Sequence, residues 1–389
     1  MIKKQNTHKN IAVVYIITKL ELGGAQKICI TLLDGLEKHH QKSFLISGTE
    51  GPLVQKVSHK KNVILLKSFL REISIKSLYK ESKTFIDLIK SLKKLRHQYP
   101  HIIAHTHSTK AGLIGRWAAL FAGIKYRIHT IHGYGFNDHQ PKFVWCTIYF
   151  LELITSFITT HFICVSQKDA NTGKKIFPFF SKKHSLIHAA VDWENLYQPT
   201  HIIKKSFQPN HMEKTFSFGT ISCFKKQKNL FDLLKAFQQI HKKHLNTRLE
   251  IIGDGILRNE IEKWITQHNL KHAIILHGWQ TQITPIAKSW HALVMTSLWE
   301  GLPCTVVEAR LLKLPVISYK TGGIPEVIIN GKNGLLYEQK NWAGIADGMA
   351  TLIENKNKHE QLKNYPDNLE MFKNQNMIKK HLHLYKHLQ

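Results

Sequence analysis

The sequence predicts an α/β protein made of two doubly wound, Rossmann-like domains facing a central cleft. Three observations carry this. Short apolar runs of strand length alternate with longer amphipathic runs of helix length along most of the chain. The alternation stops once, in a polar stretch holding Pro199 and Pro209, and then restarts. The length, 389 residues, suits two domains, and a hydrophobic content of 43% lets each bury an ordinary core.

Taken in order, 11–17 reads as a first strand, 28–36 lies in a first helix, and 43–46 is a second strand. The run 75–95 places Leu78, Phe85, Leu88, Ile89, Leu92 and Leu95 on one face of an amphipathic helix. Residues 102–104 form a buried strand that ends at His105, Thr106 and His107. The apolar run 143–163 has the length of a membrane span, but Glu152, His161 and several threonines interrupt it, so a buried helix followed by a strand at 162–165 is expected. The boundaries predicted are a first domain over 1–198, a linker over 199–214, a second domain over 215–370, and a basic C-terminal helix over 371–389 packing back toward the first domain. Within the second domain the pattern gives strands at 216–221, 249–252, 274–276 and 293–295, with helices at 231–245 and 257–267.

Lysine and arginine number 55 against 27 aspartates and glutamates, a net charge of +28 that favours polyanionic partners: nucleic acid, an anionic membrane face or phosphorylated substrates. No nucleic-acid module or interleaved aromatic and basic stripe is present, which argues against the first. The five cysteines are scattered and form no Cys-x-x-Cys pair, so neither a disulfide framework nor a zinc site is expected. The N-terminus lacks the apolar core and cleavage site of a signal peptide, which points to the cytoplasm.

Candidate chemistry sits where strands turn into helices. Gly23 and Gly24 follow the first strand and open the first helix, where backbone can approach a phosphate, although such a turn is also an ordinary strand–helix connection. His105 to Gly112 and Thr130 to Gly135 lie at two further strand ends, where α/β proteins bind ligands. Their histidine spacing fits no zinc pattern, so contacts to a sugar or pyrophosphate are expected rather than a metal. Ser222 to Asn229 brings Lys228 to the first turn of the second domain, where an ammonium can neutralise a departing diphosphate; alone, it would read as a solvated basic turn. Gly253, Asp254 and Gly255 make a strand-end turn able to receive a base or ribose. Glu300 and Glu308 stand eight positions apart around a Gly-Leu-Pro turn and a helix opening. Amides at that helix N-terminus suit an anion, and the carboxylates suit hydroxyl groups.

Together these segments resemble the retaining glycosyltransferases of family 4, which have the GT-B architecture. The likeness runs over nearly the whole chain: Gly23-Gly24, His107 to Gly115, His132-Gly133, Val165-Ser166, Lys228-Asn229, Gly253-Asp254-Gly255, the Glu-x7-Glu of Glu300 and Glu308, and 322–326. The segments 105–116 and 129–136 are similar to those of bacterial enzymes that build polysaccharides or lipid-linked oligosaccharides. The resemblance implies that Glu308 holds the ribose hydroxyls and Glu300 the donor sugar. It implies that amides around Gly301, Leu302 and Thr305, and at Gly24, grip the diphosphate, with Gly23 and Gly253 shaping the donor site. Lys228 would neutralise the leaving group and His132 would line the reaction centre. His107, Ser108 and Lys110 would lie on the acceptor side, in the N-terminal domain. The family often has an arginine where this chain has Cys223; Lys225 or Lys226 would have to supply its charge.

The activity so implied is transfer of a sugar from a nucleotide-diphosphate donor, a UDP-sugar above all, to a lipid-linked saccharide, polysaccharide or lipopolysaccharide acceptor, with retention and with no metal cofactor. The stretch 67–96 carries nine basic residues (Lys67, Arg71, Lys76, Lys80, Lys83, Lys90, Lys93, Lys94, Arg96) against Glu72, Glu81 and Asp87. It is expected to dock peripherally on an anionic inner-membrane face. The alternatives weighed are a GT-B epimerase or sugar phosphate synthase, a catalytically silent relative of these enzymes, and a basic nucleic-acid-binding protein.

Overall fold

In the computed structural model, which describes residues 11–70, 78–197 and 215–388, the first half folds around seven parallel strands. These are β1 (Ala12–Ile17), β2 (Lys42–Gly48), β3 (Val63–Leu66), β4 (Ile102–His107), β5 (Tyr126–Ile131), β6 (His161–Cys164) and β7 (His184–Leu186), in the order β3-β2-β1-β4-β5-β6-β7. Every residue of β1 and β4 is buried, as a parallel sheet covered by helices on both faces requires. The order runs outward from β1 in both directions, so the switch point lies between β1 and β4, whose register pairs Ile16 with Thr106.

The second half has six parallel strands: β8 (Phe216–Ile221), β9 (Thr247–Ile252), β10 (Ile274–Gly278), β11 (Ala292–Met295), β12 (Val316–Tyr319) and β13 (Gly334–Tyr337). Their order, β10-β9-β8-β11-β12-β13, puts the switch point between β8 and β11. The chain divides into two units at Ala190 and Val191; Val191–Lys373 forms the second, and the C-terminal helix Asn374–His387 belongs to the first. The linker expected over 199–214 lies outside the described residues. So do Arg71, Glu72 and Lys76 of the basic stretch, whose helix is described over Leu78–Gln98.

The C-terminal helix is held by close approach and by buried hydroxyls. Gly35 in helix Gly24–Lys38 lies under Ile378, where a Cβ would meet Cδ1 at 2.4 Å. Further along, the Tyr385 hydroxyl is buried 3.2 Å from that of Tyr15 and 2.6 Å from His105 Nδ1.

Helix Lys142–Ile158 corrects one expectation. It is followed by a strand as predicted, but it is covered on one side only: Trp145, Ile148, Tyr149 and Leu153 pack against the core beside the buried Glu152, Thr155 and Ser156, while Phe143, Phe150, Leu151, Ile154 and Phe157 face solvent. The cause is Arg116, wholly buried in helix Thr109–Phe121. It donates to Glu152 Oε2 (2.6 Å), Thr159 Oγ1 (2.9 Å) and Gly112 O (2.7 Å), and Trp117 Nε1 donates to Thr155 Oγ1 (3.0 Å). Satisfying these buried groups fixes which side of an otherwise apolar helix faces the protein. Arg116→Met should therefore destabilise by about 3–5 kcal/mol, because Glu152 is left buried and uncompensated. The double variant Arg116→Met/Glu152→Met should regain much of it, as urea unfolding of the two would read out. No helix among the described residues is long and apolar enough to cross a membrane.

Candidate functional site

In the first unit the predicted residues gather at the β1–β4 switch point. β4 runs on through His107, so His105 and His107 are strand residues rather than loop residues. His107 Nδ1 and His132 Nε2, at the end of β5, share a hydrogen bond of 2.9 Å. His107 Nε2 is buried with no hydrogen-bond partner among the described residues. Ser108 has φ +67°, a strained conformation for a non-glycine residue, and its hydroxyl lies 3.1 Å from that of Thr18 at the end of β1. Gly23 and Gly24 open helix Gly24–Lys38 just beyond Thr18. The φ of Gly23 is −90°, open to any residue, so what glycine contributes there is the missing side chain rather than backbone freedom. Lys110 is held away from an open role: its ammonium donates to Leu70 O (2.6 Å) and pairs with Glu81.

Burial governs this histidine group. It pulls His105, His107 and His129 well below the ordinary imidazole value, with His381, His105 and Arg116 respectively adding repulsion. It brings His132 to about 3, with His381 contributing, and His381 to about 4 against a hydrogen bond donated to Met377 O (2.8 Å). The unfolded chain takes up these protons near pH 6.5 and the folded chain only well below it. Stability is therefore complete above about pH 6.5 and falls as pH drops toward 4, by up to about 1.4 kcal/mol per pH unit for each histidine. Urea midpoints at pH 7.5, 6 and 5 should show this slope, and His381→Gln should flatten it.

In the second unit the β8–β11 switch point collects Lys228, Glu300, Gly301, Leu302, Thr305 and Glu308. Lys228 ends a short 3-10 turn, and Asn229 (φ +46°) leads into helix Leu230–Lys243. Thr296 Oγ1, at the end of β11, donates to Asn229 O (3.0 Å) and Lys228 O (3.2 Å), tying the two turns together. Gln227 Nε2 donates to Trp299 O (2.7 Å), and Leu298 N donates to Gln227 O (2.8 Å). So positioned, the Lys228 ammonium pairs directly with Glu300 Oε1, with 18% and 9% of the two side chains exposed.

Gly322, at φ +55°, packs under this turn: a Cβ there would come within 2.2 Å of Glu300 O, and Gly323 N donates to Gly301 O (2.6 Å). Pro303 caps helix Cys304–Leu311, whose opening brings Thr305 within 3.6 Å of Met295 Sδ. Glu308 lies one turn further along and is buried, and its Oε2 has no hydrogen-bond partner among the described residues. A buried carboxylate oxygen without a partner, in the helix that opens at the Glu300 turn, is an acceptor that a ligand hydroxyl would satisfy.

Gly253 approaches the same turn, a Cβ being only 1.9 Å from Ser222 O. Asp254 is already engaged, accepting from Gly255 N (2.7 Å) and Arg258 (2.8 Å). Cys223 is half-buried and Lys226 exposed. Among the described residues no group of three or more His, Cys, Asp or Glu is arranged to hold a metal ion. Sequence reading missed the supports: Thr296, Gln227 and Gln339, whose Nε2 donates to Leu298 O (2.8 Å) and Thr321 Oγ1 (3.2 Å). Gln339 has no local signal, because it lies in the loop after β13, distant in sequence.

Comparison with known proteins adds to this geometry. Residues 22–195 match the family described as Glycosyltransferase Family 4, and 202–368 match Glycosyl transferases group 1. The chain is similar to the UDP-Gal:alpha-D-GlcNAc-diphosphoundecaprenol alpha-1,3-galactosyltransferase of Escherichia coli, 29% identical over 358 residues, 90% of each chain. It is also similar to the capsular polysaccharide biosynthesis glycosyltransferase CapM of Staphylococcus aureus, at 25% identity over 76% of this chain and 80% of that one. In fold it resembles Anabaena HepE, solved in complex with UDP and glucose, with a TM-score of 0.80 and 17% identity over 97% of this chain and all of that one.

Proposed function

The chain belongs to the GT-B glycosyltransferases, with a family 4 half and a group 1 half, and from that premise we propose that it transfers a sugar, with retention, from a UDP-sugar to a lipid-linked saccharide or polysaccharide acceptor in cell-surface glycan synthesis. The observation that carries the donor side is the unsatisfied Glu308 Oε2, in the helix that follows the turn holding the Lys228–Glu300 pair. Glu308 accepts from the ribose hydroxyls. The amides that open helix Cys304–Leu311 meet the diphosphate, and Lys228 turns from Glu300 to it as negative charge grows on the departing β-phosphate. Glu300, released, accepts from the sugar hydroxyls. His132, neutral at working pH, donates or accepts at the sugar but carries no charge to it. Amides and lysine do the electrostatic work without a metal. The acceptor class follows the Escherichia coli relative, whose name gives a diphosphoundecaprenol-linked acceptor and an alpha-linked product.

The test is product analysis with a panel of nucleotide sugars and an undecaprenyl-diphosphate saccharide, with the new linkage read by NMR. Release of UDP and an axial or equatorial linkage matching the donor's are expected. An inverted anomeric centre would remove retention, activity from a GDP-sugar alone would remove the donor class, and loss of activity in EDTA restored by magnesium would remove metal independence.

The enzyme is further proposed to work peripherally at the cytoplasmic membrane face. Lys80, Lys83, Lys90, Lys93 and Lys94 are all exposed on helix Leu78–Gln98, which supports that reading. Co-sedimentation with vesicles that shows no dependence on anionic lipid would remove it.

A further inference from the structure

Helix Lys142–Ile158 is apolar on both of its sides, and only one of them is covered: Trp145, Ile148, Tyr149 and Leu153 pack against the core. A surface helix normally turns its apolar stripe to the core and its polar side to water. Here the side away from the core is apolar too: Phe143 (82% exposed), Phe150 (55%), Ile154 (54%) and Phe157 (60%) face outward at spacings of seven, four and three, one continuous stripe. Leu151 (47%) widens it, and Phe121 (60%) stands exposed on the neighbouring helix Thr109–Phe121. An apolar face this continuous marks a surface that is covered when the protein works.

The surrounding charge says by what. The helices Leu78–Gln98, Thr109–Phe121, Lys142–Ile158 and Gln167–Ile176 pack side by side. Their exposed charged residues in the described set are all basic: Lys80, Lys83, Lys90, Lys93, Lys94, Arg96, Lys142, Lys168, Lys174 and Lys175. Their acids are withdrawn: Glu152 and Asp169 are buried, Glu81 is paired with Lys110, and Asp87 is half-buried and accepts from Ser68 (3.2 Å). A second copy of this chain would bring lysines against lysines. A nucleic acid would answer the charge and leave the aromatic stripe in water. An anionic bilayer answers both, with acyl chains beneath the stripe and headgroups around the lysines.

We propose that the outward face of helix Lys142–Ile158 inserts into the headgroup layer of an anionic membrane, lying in its plane over roughly 25 Å. This deepens the peripheral reading above by assigning the contact to an inserted apolar face rather than to the lysines alone.

The test is flotation of the full chain with vesicles of phosphatidylcholine alone or with phosphatidylglycerol, comparing it with Phe150→Ser/Ile154→Ser. Both residues are solvent-facing, so the variant should keep its urea midpoint. Binding to the mixed vesicles that falls at least tenfold in the variant is the expected result. A thiol-reactive, polarity-sensitive dye on the exposed Cys146 should shift to the blue with vesicles. Undiminished binding by the variant would overturn insertion while leaving peripheral, lysine-driven docking in place. No binding to any vesicle would overturn both. A concentration-dependent dimer that the variant abolishes would assign the face to a second copy and overturn the membrane.

Discussion

Glu308→Ala is expected to leave the fold intact and to remove nearly all stabilisation by UDP. The Oε2 of this carboxylate has no hydrogen-bond partner among the described residues, so its loss breaks no hydrogen bond of that oxygen. A buried acceptor without a donor is itself a cost of about 1–3 kcal/mol, so the unliganded variant should unfold at the same urea concentration or a slightly higher one. On the proposed reading the same oxygen accepts from a ribose hydroxyl in the complex, and hydrogen bonds to a charged group contribute about 1.5–3 kcal/mol, a loss of roughly 10- to 150-fold in affinity. At a UDP concentration about 100 times the dissociation constant, the protein gains about 2.7 kcal/mol; a variant weakened 100-fold gains only about 0.4 at that concentration. Thermal unfolding with and without UDP reads both halves of this expectation. A variant destabilised by several kcal/mol that still responded fully to UDP would make Glu308 a structural residue and end its assignment to the ribose.

The strand ends that matter were legible because parallel sheets write themselves as short apolar runs, and ligand-facing turns as the glycines and polar residues that close those runs. That is how Gly24, His132, Lys228 and Glu300 could be placed without coordinates. What was not legible depends on contacts made far along the chain. Gln339 steadies the turn before Glu300 from 41 positions away from Leu298. Lys110, placed on the acceptor side by the resemblance, is engaged by Glu81, 29 positions earlier. The orientation of helix Lys142–Ile158 was the largest loss. Its composition alone says only that it is apolar; Arg116, 36 positions before Glu152, decides which side is turned inward. At Gly23 the φ would suit any residue, so the reason for glycine there is the missing side chain, which the sequence pattern alone does not separate from backbone freedom.

Lys228→Ala should lower kcat by about 10²- to 10³-fold at saturating donor, the scale seen when one preorganised donor to a developing charge is removed. The donor KM should move much less, because in the proposed mechanism the diphosphate carries its ground-state charge against the helix amides, while the lysine acts on charge that grows as the bond to the sugar breaks. The substitution has a second consequence that must be separated from the first. Glu300 keeps only 9% of its side chain exposed and its Oε1 is paired with Lys228, so removing the ammonium leaves a mostly buried carboxylate without its partner. That should cost about 1–3 kcal/mol of stability. The double variant Lys228→Ala/Glu300→Gln resolves the two: neutralising Glu300 removes the uncompensated charge and should restore most of the urea midpoint, but it supplies nothing to the leaving diphosphate. Stability should return while kcat does not. If rate returned together with stability, the pair would be a structural brace for the β8–β11 turns, and the charge on the leaving group would have to be met by Lys225, Lys226 or the helix amides alone.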